Sequence, residues 1–99
     1  MKIVKINGAD IYVDGGSYGF WFDCEDGNEY ELFIKRDLSK DSKNDYYPPV
    51  IYRNGYNRNS VVKKLGWTEA QDYLSNVNYT NIHFKTLVEI VKNDGNYIP

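Results

Sequence analysis

One cysteine, one histidine, one methionine and three prolines stand among 99 residues. With Cys24 alone no internal disulfide can close, and a zinc site built on several thiolates is excluded, so a reducing, cytoplasmic setting is the default expectation. Long apolar runs are missing as well. Phe20-Trp21-Phe22 and Val50-Ile51-Tyr52 are the kind of run the chain offers, against the roughly 18 to 20 residues that a membrane-spanning helix needs. The N-terminus alternates charged with apolar residues, so no signal peptide and no membrane partner are expected. The chain is rich in aromatics, at 16%, with 41% hydrophobic and 26% charged residues. That balance describes one soluble globular domain over 1–99.

The net charge of −2 is unevenly spread. Residues 1–35 carry three lysines and seven acids, net −4; residues 36–66 carry seven basic and three acidic residues, net +4; residues 67–99 carry two lysines and four acids, net −2. A positive middle flanked by negative ends orients a partner only at short range, within a Debye length of roughly 8 to 10 Å.

Patterning gives strands first and helices last. Asn7-Gly8 is the dipeptide best suited to a type I′ hairpin turn and is expected to separate strands over 2–6 and 9–14. Alternation from Tyr18 to Cys24 puts Tyr18, Phe20, Phe22 and Cys24 on one face and Gly19, Trp21 and Asp23 on the other. After a turn at Asp26-Gly27, Tyr30, Leu32 and Ile34 oppose Glu29, Glu31 and Phe33. Trp21 and Phe33 therefore share a face with acids, a secondary candidate patch for a partner. Residues 36–60 are expected to form a loop or protruding hairpin, because turn formers abound and Pro48-Pro49 forbids a helix. Val50 to Arg53 reads as a short edge strand entering a turn at Asn54-Gly55.

Thr68-Glu69-Ala70-Gln71 matches a capping box, and Ala70, Tyr73, Leu74 and Val77 follow at helical spacing, which predicts a helix over 68–77. Thr80 or Asn81 caps a second helix over 80–93, with Phe84, Leu87, Val88 and Val91 as its stripe and Asn93-Asp94-Gly95 as its stop. The expected fold is α+β: a four- to five-stranded antiparallel meander, sheet about 2–35, packed through its Phe20/Phe22/Leu32 face against two C-terminal helices.

Groups able to carry catalysis are scarce. His83 lies off the main apolar stripe, and Cys24 on an apolar strand face behaves as a small hydrophobe with a raised pKa. Asp23, Glu25, Asp26, Glu29 and Glu31 cluster at a hairpin but lack the Asp-x-Asp-x-Asp-Gly order of a calcium loop. Gly15-Gly16-Ser17-Tyr18-Gly19 has neither the lysine nor the helix start that a phosphate loop requires. No cofactor, no metal and no catalytic residue is expected. Val61 to Ala70 resembles the turn of helix-turn-helix domains, yet Asp72 and Ser75 stand where that family packs apolar residues.

The densest candidate surface is Tyr46, Tyr47, Tyr52, Arg53, Tyr56 and Arg58, followed by Lys63 and Lys64. Tyrosine supplies area at low entropic cost and arginine anchors interfaces, which points to a protein partner. The expected function is a small non-catalytic binding protein that occupies a surface of a macromolecule, as an inhibitor from a mobile element or a toxin-immunity factor would. Stacking tyrosines interleaved with cations give the alternative, a nucleic-acid or nucleotide binding module over 46–64.

Overall fold

The computed structural model describes residues 2–13, 16–37, 46–54 and 60–96. Five strands, β1 (Ile3–Ile11), β2 (Tyr18–Cys24), β3 (Glu29–Ile34), β4 (Val50–Arg53) and β5 (Val61–Lys64), form one antiparallel sheet in the order β1-β2-β3-β4-β5. Two helices follow, α1 (Trp67–Ser75) and α2 (Ile82–Lys92). The expected α+β arrangement is present, with its sheet extending to residue 64 rather than ending near 35.

Both helices sit on the face carrying Phe20, Phe22, Leu32 and Ile34, all fully buried. The ring of Phe20 lies 4.7 Å from that of Phe84, centroid to centroid, and Leu87, Ile90 and Val91 of α2 close the same core. Each such side chain contributes roughly 1.5 to 3 kcal/mol on burial. Tyr73 packs 6.1 Å from Phe22 with its hydroxyl buried and unpartnered among the described residues. Burial pushes that phenol up to about 12.

Several local expectations are corrected. Asn7-Gly8 makes no turn: Ile3–Ile11 is one strand, paired along β2 with register shifts between Ile3 and Lys5 and between Ile6 and Gly8. The second shift falls at the dipeptide, where the strand takes up an extra residue instead of reversing. Val50–Arg53 is an interior strand, because Val61–Lys64 returns beside it as the edge. That strand also removes the helix-turn-helix resemblance, whose first helix would occupy it. The Asn54-Gly55 turn lies partly, and the stretch 38–45 wholly, outside the described residues.

Helix α1 starts one residue early, with Gly66 at the N-cap and no side-chain cap bond, so Thr68 is already helical and the capping box does not form. In α2 the expected cap is present: Asn81 Oδ1 accepts from the His83 and Phe84 amides at 2.8 and 3.1 Å. The expected stop holds too. Asp94 and Gly95 take φ of 53° and 88°, and the Gly95 amide returns to the Ile90 carbonyl at 2.9 Å.

The stop is also a packing site. A Cβ on Gly95 would lie 2.6 Å from the Trp67 ring and 3.0 Å from the Tyr46 carbonyl, whereas one on Gly27, at a similar φ of 84°, would meet nothing within 4 Å. Gly27→Ala is therefore expected to lose only the left-handed backbone cost of about 1 to 2 kcal/mol. Gly95→Ala adds overpacking of about 1 to 3 kcal/mol. Urea unfolding of the two variants measures the difference, and equal losses would mean that Trp67 yields freely.

Candidate functional site

The face turned away from the helices is built by strand alternation. Register places Gly8, Trp21, Glu31, Tyr52 and Val61 in one cross-strand row, and Asp10, Gly19, Phe33, Val50 and Lys64 in the next. Tyr12, just beyond the end of β1, folds back over the sheet, where its ring stands 6.2 Å from Trp21 and 5.4 Å edge-on to Phe33. Tyr52 meets Phe33 edge-on at 6.1 Å. Four half-buried aromatics thus form a continuous patch, in tilted and edge geometries that favour ring pairs.

Glu31 lies in the middle of it, only 2% exposed. A buried carboxylate is costly unless it is hydrogen-bonded, and the Tyr12 hydroxyl donates to Glu31 Oε2. Gly19 makes that approach possible, since a Cβ there would collide with the Glu31 carboxylate and stand 3.0 Å from the Tyr12 ring. Polar groups border the patch at one end. Asn7 Nδ2 donates to Asp23 Oδ1 at 2.9 Å and to Glu29 Oε2 at 2.6 Å, and Asn54 Nδ2 donates to Glu29 Oε1.

The residues singled out from sequence are distributed unevenly. Tyr52 joins Trp21 and Phe33 on this face, and Lys64 lies on its margin opposite Val50. Tyr46 is an internal tie: its hydroxyl donates to the Gly16 carbonyl at 2.9 Å and its amide to the Gly95 carbonyl at 3.1 Å. Tyr47 is exposed beside the sheet, its amide donating to the Lys35 carbonyl. Arg53 is half-buried and donates to Asn28 Oδ1 at 3.0 Å, while Lys63, opposite Ile51, pairs with Glu69 at 2.8 Å on the helix side. Tyr56 and Arg58 lie outside the described residues. Tyr12 was missed by sequence reasoning, although continuing the Gly8, Asp10 alternation by two residues would have put it on this face.

Elsewhere the titratable groups read as structural. Burial first, and the Asp26 carboxylate second, push the Cys24 thiol up. The Tyr30 hydroxyl donates to Asp26 and holds that exposed carboxyl below its usual range. His83 Nε2 stands 3.6 Å from Asp10 Oδ1, beyond hydrogen-bond distance. Among the described residues no three His, Cys, Asp or Glu side chains converge as a metal set, and no helix is long and apolar enough to cross a membrane. No protein-family model matches the chain, and no curated protein or solved structure is significantly similar to it.

Gly19→Ala is expected to destabilise the fold by about 1 to 3 kcal/mol and to shift Trp21 emission as Tyr12 is displaced; an unchanged urea midpoint and spectrum would mean that Tyr12 and Glu31 are loosely held. The buried thiolate-poor Cys24 is expected to react with Ellman's reagent at neutral pH only as fast as the protein unfolds. Rapid labelling of the folded protein would contradict this placement.

Proposed function

We propose that this protein is a non-catalytic binding module that occupies a surface of another protein through the helix-free face of its sheet. The observation that carries the reading is the aromatic row itself. Tyr12, Trp21, Phe33 and Tyr52 come from four separate segments and gather around one carboxylate on the face that neither helix packs against. Aromatic anchors with a polar border are the usual composition of an interface centre, where a few residues supply most of the affinity. Tyr52 and Lys64 belong to the surface proposed from sequence, and Trp21 and Phe33 to the secondary patch, so this face unites parts of both.

The scarcity of candidate acids, bases and nucleophiles favours action by occupancy over turnover. Inhibition of a host enzyme by a mobile-element protein and neutralisation of a toxin by its immunity factor both work in this way. The single buried thiol suits a cytoplasmic setting. The nucleic-acid reading receives less support: Lys63 is paired with Glu69, Arg53 is engaged by Asn28, and carboxylates border the aromatic row. Those carboxylates repel phosphate.

A tagged wild-type chain is expected to capture a stoichiometric protein partner from its host cell. With the purified partner, Trp21→Ala and Tyr52→Ala are each expected to weaken binding by about 2 kcal/mol or more, roughly thirtyfold, at an unchanged far-UV spectrum. Undiminished binding by both variants would move the interface off this face. Oligonucleotide binding that falls steeply with salt, and whose salt slope drops in Arg53→Ala, would favour the nucleic-acid module instead.

A further inference from the structure

The order β1-β2-β3-β4-β5 leaves the sheet two edges, and they are built differently. β5 is four residues long and ends in Lys63 and Lys64, the short, lysine-bearing form that keeps an edge from pairing. β1 runs for nine residues and exposes Val4 and Ile11, at 58% and 41%. Among the described residues no strand lies on its outer side. Its outward amides and carbonyls are a template for a further strand. The template closes at its far end, where the Ile11 amide donates to Asp10 Oδ1 at 2.8 Å.

The open stretch is complementary to itself. Lys2 and Lys5 stand towards its start and Asp10 at its end, all exposed. Neither lysine makes an ion pair among the described residues. In an antiparallel pair about a two-fold at Ile6, Lys2 meets Asp10 of the second copy, Ile3 meets Ala9 and Ile6 meets Ile6. Opposite charges then face each other at both ends of the ladder, with aliphatic residues between them. A two-fold one residue earlier would set Lys5 against Lys5, which is unfavourable.

Bulges ordinarily blunt an edge, and β1 has register shifts at Ile3/Lys5 and Ile6/Gly8. They do not conflict with this register. The two-fold at Ile6 lays residues 3–6, which hold one shift, against residues 6–9 of the second copy, which hold the other. The irregular stretches of the two strands are equal in length and run alongside each other.

We propose that the protein forms a homodimer by antiparallel pairing of β1 with β1 of a second copy, giving one continuous ten-stranded sheet. Such an interface is isologous, with the same patch used on both sides. Its two-fold stands perpendicular to the sheet, so the helices of both copies lie on one side and both aromatic rows on the other. A partner with two matching sites gains avidity from that arrangement. Dimerisation uses the edge and not the aromatic face, so either can fail without the other.

Sedimentation equilibrium of the intact chain at low salt is the test. A reversible equilibrium between monomer and dimer is expected. Lys2→Glu and Asp10→Lys are each expected to weaken it about tenfold or more, because each reversal acts twice in a symmetric pair. The double variant is expected to return to within about threefold of the wild type. Residues directly opposed across an antiparallel pair have Cα atoms about 4.5 to 5.5 Å apart, within the roughly 4.4 to 6.8 Å that a disulfide spans, so Ile6→Cys is expected to oxidise to a linked dimer. Val62→Cys, on β5, is expected to remain unlinked. Lys2 and Asp10 are exposed, so the charge variants remain decisive if Ile6→Cys fails to fold. A chain that stays monomeric up to about 1 mM would overturn the proposal. So would a dimer indifferent to both reversals, a double variant that does not recover, or cross-linking through Val62→Cys, which would assign the contact to β5.

Discussion

The contact between the Phe20 ring and Phe84 fixes which side of the sheet is covered, and everything else follows from there being too little helix to cover both. Five strands at roughly 4.8 Å spacing make a sheet about 24 Å wide. Two helices of roughly 10 Å diameter laid side by side span about 20 Å. They are therefore used up on one face, where Phe20, Phe22, Leu32, Ile34 and Ile51 meet Leu87, Ile90 and Val91. The opposite face has to be made from the sheet's own side chains.

The chain meets that requirement with rings and one carboxylate. Tyr12 folds across the small Gly19, donates to Glu31, and links Trp21 to Phe33 through one tilted and one edge contact. A methylene-based side chain at position 31 would need no such donor. Glu31 does, and this couples the end of β1 to the middle of β3. The charge segregation seen along the sequence is partly resolved in the same economical way, because Lys63 of the positive middle meets Glu69 of the negative C-terminal third. What reads as a basic segment is, in three dimensions, divided between the two sides of the sheet, with Lys63 opposite Ile51 and Lys64 opposite Val50.

Strand alternation from Tyr18 to Ile34, the α2 stripe and its Asn81 cap were legible because each depends on residues close in sequence. The misread elements depend on partners far away. Asn7-Gly8 favours a turn locally, yet pairing of Ile3–Ile11 along β2 outweighs that preference, and the bare Cα of Gly8 lies under the Trp21 ring, with an added Cβ 3.9 Å from it. Thr68 has the right neighbours for a cap, but α1 begins at Trp67, whose ring is seated against Gly95. β5 carried no periodic signal at all, since Val61-Val62-Lys63-Lys64 does not alternate, and an edge strand exposed at all four residues has no buried face to impose one. Of the candidate surface, Trp21, Phe33 and the acids were assigned to one face by parity alone. Joining Tyr52 to them required the β3–β4 register, which no local pattern carries.

That dependence on register explains why the proposed face and the core cannot vary independently. Strand periodicity is two, so a slip of one residue in β4 would exchange Ile51 for Tyr52 across the sheet, removing an aromatic from the row while inserting a phenol into the core. The core resists such a slip, because Ile51 is fully buried and sits directly opposite Leu32. The same alternation that buries Phe20 and Phe22 obliges Trp21, between them, to face the other way. The aromatic row is thus held in place by side chains on the far side of the sheet, and its geometry is as firmly set as the packing against α2.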